Sequence, residues 1–325
     1  MSKKNKKEKH KRGKKDRSGK NGNGAAATIA ATPRTTGTYA DGTPLDRMTH
    51  LEAKLILRPE PFISVDSFRD FGKIVQRTAK NSEVGFITDR ETSLRPQIRE
   101  ITFLDTPDYR LYNNAFILRR RISYVDGFPI GDPEIVFKFR HPEEQASSAM
   151  DVRPRIAGKY EIKFKAEILP LKEEVGGYRT LYSHNCQFGL SQMHDADKNS
   201  MATLGRVFPA LAPLVKEEGE HVSLVNGGIV EEVLLPLGHL DFGKGLVGKC
   251  DIALWRTRGE HKSLVGEFAF QVKFAGAAAL AEKQRKLVPQ FHVNLQHEVE
   301  SWLALGVTKT AMVYRLNGNQ PQSHE

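Results

Sequence analysis

From Thr49 onward, apolar and charged residues repeatedly alternate with period two, the signature of strands whose side chains point to opposite faces. His50, Glu52 and Lys54 alternate with Leu51, Ala53 and Leu55. Val136, Lys138 and Arg140 alternate with Ile135, Phe137 and Phe139. Lys159, Glu161, Lys163 and Lys165 alternate with Tyr160, Ile162 and Phe164. Glu267, Ala269, Gln271 and Lys273 alternate with Phe268, Phe270, Val272 and Phe274. Each predicted strand therefore has a charged and an apolar face.

Helical spacing appears between them. Phe68, Phe71, Ile74 and Val75 predict an amphipathic helix over 66–79 that packs on a sheet. Residues 201–215 predict a shorter helix, interrupted by Pro209 and Pro213, within an irregular stretch from about 170 to 228. A long helix over 277–305 carries the stripe Leu280, Leu287, Phe291, Leu295, Val299 and Trp302, and Pro289 should kink or split it. A last strand is expected over 307–316. Strands with interspersed helices imply one α+β domain, mainly β, over 47–318, with an insertion at about 170–228.

Charge changes this picture at one end only. The net charge is +10, but residues 1–20 hold eleven Lys and Arg against Glu8 and Asp16. The rest has 38 basic and 37 acidic residues. Residues 1–46 are too polar or too Gly-, Ala- and Thr-rich to offset ordering entropy, so a disordered Lys-rich tail and linker are expected, as is disorder over 319–325. The tail reads either as a solubilising arm or as a salt-dependent contact for nucleic acid, polyphosphate or an anionic membrane. It has no apolar core of a secretory signal, and the chain has no apolar run long enough to span a bilayer. Cys186 and Cys250 stand far apart with no metal spacing. A reducing, cytoplasmic location is expected.

A single charged strand face needs no ligand, because antiparallel sheets commonly turn one face to water. The set is more suggestive. Lys54, Arg119, Arg121, Lys138, Arg140, Lys163 and Lys309 are spread over five predicted strands, with few acids among them. Converged in a closed barrel, they would form a basic cavity that needs water or a polyanion to fill it.

HLEAK at 50–54 resembles the opening Glu-x-Glu-x-Lys signature of the CYTH family. FLDTPDYRLYNNAFILRRR at 103–121 is similar to its DTP…LRxR segment. VFKFRHP, GEFAFQV and TKTAMVY resemble its later strands. The resemblance implies a closed eight-stranded antiparallel β-barrel, a triphosphate tunnel, with helices outside. By it, Lys54, Arg119, Arg121, Lys138, Lys309 and one of Arg256 or Arg258 hold phosphates. Glu52 and Glu267, with Glu161 nearby, hold Mg2+ or Mn2+, and Glu52, Lys54 and Arg119 serve catalysis. His50 and Ala269 replace two acids of the pattern, and His50 would favour Mn2+ or Zn2+ over Mg2+. The implied activity is metal-dependent hydrolysis of inorganic, thiamine or nucleoside triphosphate. A non-catalytic polyphosphate- or nucleotide-binding module and a class IV adenylyl cyclase are the alternatives.

Gly238–Lys244 and Gly243–Lys249 nearly match a P-loop but lack its Ser/Thr, and strand follows, so a glycine-rich hairpin is expected. His292 and His297 are badly spaced for shared ligation. His184 is expected to make a loop contact near Cys186.

Overall fold

The computed structural model describes residues 44–88, 95–275 and 280–316, together with 37, 38, 42 and 321. The Lys-rich tail, most of its linker and nearly all of 319–325 lie outside the described residues.

Nine strands close a barrel. They are β1 (His50–Leu57), β3 (Gln97–Asp105), β4 (Phe116–Val125), β5 (Phe128–His141), β6 (Glu161–Pro170), β7 (Tyr178–Gly189), β9 (Val230–Asp241), β10 (Val247–Thr257) and β11 (Ser263–Lys273). Around the ring the order is β1-β6-β7-β5-β4-β3-β9-β10-β11 and back to β1. Two short strands extend the sheet: β2 (Gly85–Ile87) on β9 and β8 (Ser223–Leu224) on β3. The barrel is thus nine-stranded and mixed, not eight-stranded and antiparallel. An odd ring cannot alternate direction throughout, and β1 with β6 is its parallel pair.

Side-chain alternation explains why the barrel is inside out relative to a half-exposed sheet. Odd residues of β4 and even residues of β5 turn inward. Phe116, Leu118, Ile135, Phe137 and Phe139 turn outward into one apolar cluster. The short helix α4 (Met201–Val207) and Phe208 cover that cluster. On the other side Leu55, Cys250, Ile252, Phe268 and Phe270 pack beneath α1 (Val65–Asn81) and α5 (Glu282–Glu298). Phe71 of α1 meets Phe268 and Trp302 with ring centroids 5.6 and 5.4 Å apart. With both outer flanks covered, apolar residues face the helices and charged ones face the lumen.

Several expectations change. Pro289 does not split α5, which runs unbroken through it. Val288 before it and Phe291 and Leu295 after it are buried in the same cluster. Residues 307–316 form no strand. Lys309–Tyr314 is a one-and-a-half-turn helix, α6, whose N-cap Thr308 accepts the Ala311 N–H at 3.1 Å. Its Val313 and Tyr314 plug one end of the barrel against Phe103 and Trp255. The stretch 170–228 is not all insertion, because it contains β7; the excursion spans 190–229. The Gly-rich segment is a hairpin turn between β9 and β10, with Gly243 and Gly245 at φ of +80° and +77°. Among the described residues no helix is long and apolar enough to cross a membrane.

Asp105 of the DTP segment locks this architecture. Its buried carboxylate accepts N–H bonds from Thr106, Leu111 and Tyr112 at 2.8, 2.9 and 3.0 Å, and the Tyr314 hydroxyl at 3.0 Å. It therefore ties the turn after β3 to the plug helix. Asp105→Ala leaves those donors without an acceptor and should lower unfolding free energy by about 3 kcal/mol or more. Urea titration reads this directly, and an unchanged midpoint would refute it.

Candidate functional site

The barrel encloses a cavity of about 350 Å3. Nine Lys and Arg side chains line it, against four carboxylates. Seven of the cations come from one wall, β3 to β7: Arg99, Arg119, Arg121, Lys138, Arg140, Lys163 and Lys165. Three of the acids, Glu232, Asp251 and Glu267, come from β9, β10 and β11 opposite. Glu52 and Lys54 lie on β1, where the walls meet, and Lys309 enters from α6. The plugged end is apolar, with Ile56, Ile101, Leu169 and Trp255 lining the cavity.

Beneath the lining, Glu167 on β6 is fully buried and gathers the cations. Its oxygens lie 2.7 Å from Lys54 Nζ and 2.6 Å from Lys138 Nζ, with Arg140 at 3.6 Å. Ser183 Oγ donates to it at 2.5 Å. Burial pushes this carboxyl up, but the charges of Lys138, Lys54 and Arg140 overcome burial and hold it well below the usual carboxylate range. Glu52 sits between Lys165 at 3.0 Å and Lys54 at 3.2 Å. Arg119 has a different setting. Among the described residues its Nε has no hydrogen-bond partner, and burial followed by repulsion from Arg121 lowers its pKa to about 10. Arg121 pairs with Glu134 at 2.5 Å.

Burial lowers the Lys138 pKa to about 7; Glu167 opposes this while Lys54, Arg140 and Lys165 reinforce it. A bound polyanion favours the ammonium and should raise that value. Above about pH 7, tripolyphosphate binding should therefore take up a proton and weaken as pH rises. Calorimetry in buffers of differing ionisation enthalpy checks this, and a buffer-independent heat near pH 8 would count against it. For stability the sign is the reverse. Between about 7 and 10.5 the unfolded chain holds a proton the native site lacks, so this group's contribution improves with rising pH.

The structure gathers Glu52, Lys54, Arg119, Arg121, Lys138, Glu267 and Lys309 at the cavity. Arg256 and Arg258 do not join them. The inward positions of β10 are Asp251, Ala253 and Trp255, and the register shifts between Trp255 and Arg256. Arg256 pairs with Glu231, while Arg258 pairs with Glu100 and lies over the Tyr124 ring. Glu161 is exposed on Lys163 and Gln187. His50 is buried outside the lining, its Nδ1 2.8 Å from Thr49 Oγ1. Burial and then Lys165 lower its pKa to about 4. Lys309 meets carboxylates, with its ammonium 2.6 Å from Glu267 and 3.3 Å from Glu232. His184 lies on strand β7, not in a loop, facing outward with Nδ1 3.3 Å from the Ser147 carbonyl oxygen. His292 Nε2–H donates to the Lys54 backbone oxygen, 3.0 Å away, and serves to seat β1 on α5.

Arg99, Lys165, Glu167, Glu232, Asp251 and Trp255 were not singled out from sequence as site residues. For Lys165 and Glu167 a signal existed, since both continue the Glu161–Lys163 alternation. None existed for Arg99 or Glu232, because β3 mixes polar and apolar residues on both faces and β9 sets Glu231 and Glu232 side by side, so alternation does not say which of them faces inward.

Among the described residues, no three His, Cys, Asp or Glu side chains come together as a metal-ligand group. Glu52, Glu232 and Glu267 each face an ammonium, so a Mg2+ or Mn2+ ion reaches them only by displacing a lysine.

No family model and no curated protein matches the chain. Solved structures that resemble it include a candidate adenylyl cyclase from Hippeastrum, described as having a dominant triphosphatase activity. The TM-score is 0.40 at 13% identity, over 82% of this chain and 95% of that one. A candidate adenylate cyclase from Bacillus halodurans gives 0.33 at 11%, over 81% and 96%. One from Vibrio parahaemolyticus gives 0.34 at 11%, over 82% and 98%. A closed barrel with helices outside is the architecture that the CYTH resemblance implies.

Proposed function

We propose that this chain binds a linear triphosphate in its barrel, either inorganic or as part of thiamine or nucleoside triphosphate, and hydrolyses it. One observation carries the reading: among the described residues, nine cations line the barrel cavity against four carboxylates, with Glu167 behind them as a fifth. Such an excess resists desolvation unless water or an anion fills the space, and a chain of phosphoryl oxygens matches several cations at once. Arg119 offers an unpartnered donor, and Lys54, Lys138 and Arg140 are held as a group by Glu167. For hydrolysis these side chains would orient the phosphoryl groups and offset charge developing on the leaving oxygens.

Binding without turnover is the second reading. Ala269 in place of an acid, and the pairing of Glu52, Glu232 and Glu267 with lysines, favour it. A phosphate-release screen over tripolyphosphate, thiamine triphosphate and ATP, crossed with Mg2+, Mn2+, Co2+, Zn2+ and EDTA, separates the two. Release in any combination supports hydrolysis. Saturable binding with no release selects the binding module, and cyclic AMP with pyrophosphate from ATP selects a cyclase. Absence of binding to all three ligands defeats the triphosphate reading.

A further inference from the structure

We infer that the barrel takes its triphosphate without a divalent metal, because ammonium groups of the chain itself occupy the carboxylates a metal would need. The inference rests on the triphosphate reading. Its centre is Lys309, 2.6 Å from Glu267 Oε1 and 3.3 Å from Glu232 Oε1 and 4.5 Å from the centre of the Trp255 ring. Glu232 is further committed to Arg99 at 2.6 Å and to the Trp255 indole N–H at 2.8 Å. Across the cavity Glu52 is shared by Lys54 and Lys165. Asp251 is the least engaged of the four, with Lys249 at 3.5 Å.

A metal recruiting Glu232 and Glu267 would strand the Lys309 ammonium among cations, and stranding one partner of a buried pair is costly. The incoming ion would also meet the field of the cationic wall. The Lys309 backbone is held in place, since it opens a helix fixed by the Thr308 cap and by buried Val313 and Tyr314, which keeps the ammonium within reach of both carboxylates. Positions 50 and 269, where further acids could compensate, hold a histidine outside the lining and an alanine. Lys309 therefore bridges two carboxylates as a divalent ion would. The anion's charge is met by Lys and Arg alone.

Calorimetric titration of the full chain with tripolyphosphate in EDTA should show saturable binding. Excess Mg2+, with its solution binding to the ligand taken into account, should change the affinity by less than about threefold. Mn2+ alone, followed by the paramagnetic resonance of the free ion, should not be taken up by the wild-type chain. Lys309→Met leaves Glu267 without its ammonium and should lower the thermal midpoint, and Lys309→Arg, which keeps a cation between Glu267 and Glu232, should recover most of that loss. A Lys309→Met midpoint equal to that of the wild type removes Lys309 from its assigned role. Wild-type uptake of Mn2+ that Glu267→Gln abolishes overturns the inference, as does tripolyphosphate binding only when Mg2+ is present. A chain that binds tripolyphosphate in neither buffer instead removes the triphosphate reading beneath it.

Discussion

Glu167→Gln should lower unfolding free energy at neutral pH by about 3–5 kcal/mol, the scale for breaking a buried ion pair by removing one partner. The effect is large because one fully buried carboxylate serves Lys54, Lys138 and Arg140 and also accepts from Ser183. Glutamine keeps the shape but not the charge, so these cations lose the anion on which they converge. The same substitution should flatten the acid side of the stability profile. A carboxyl held low in the folded state contributes stability above its unfolded pKa, and that contribution disappears as pH falls through the folded value. Tripolyphosphate supplies replacement negative charge at Lys54, Lys138 and Arg140, so it should stabilise the variant more than the wild type. Urea titrations with and without the ligand test both statements. Wild-type stability in the variant would show that Glu167 does not organise the cluster.

Arg119→Ala should weaken tripolyphosphate binding by about 30- to 1000-fold, while Arg120→Ala should change it less than about threefold. The contrast lies between neighbours of one type. Arg119 faces the cavity and is pressed by Arg121, a mismatch that an anion relieves. Arg120 points outward and donates to Asn199 at 2.6 Å, tying β4 to the 190–229 excursion. Calorimetry on both variants is the check. Equal losses would mean that the effect comes from general charge, not from position on the strand.

Much of the wall was legible before folding, because a strand's period of two writes its two faces into the chain. Glu52 and Lys54 on β1, Arg119 and Arg121 on β4, Lys138 on β5 and Glu267 on β11 were each readable this way. The helix over 66–79 was readable from its apolar stripe, and its burial follows it. Where an inward face is uncharged, the signal vanished. On β7 that face is Ser183, Asn185 and Gln187, and the strand passed as irregular. The final segment failed for another reason. Thr308, Thr310, Val313 and Tyr314 have strand propensity, but a Thr cap and burial at the barrel's end outweigh it.

By itself, then, the sequence determined which residues alternate, which faces are basic, and that Arg119 and Arg121 share a face that Arg120 does not. Only the tertiary structure decided that these faces turn inward around a ring, that the ring has nine strands, and that Arg256 and Arg258 fall outside it. Only there do Glu167 and its cations, or Lys309 and its two carboxylates, meet across long stretches of chain. Alternation is a local property set by backbone geometry, whereas a carboxylate's partner depends on barrel closure and register, which no short window of residues contains.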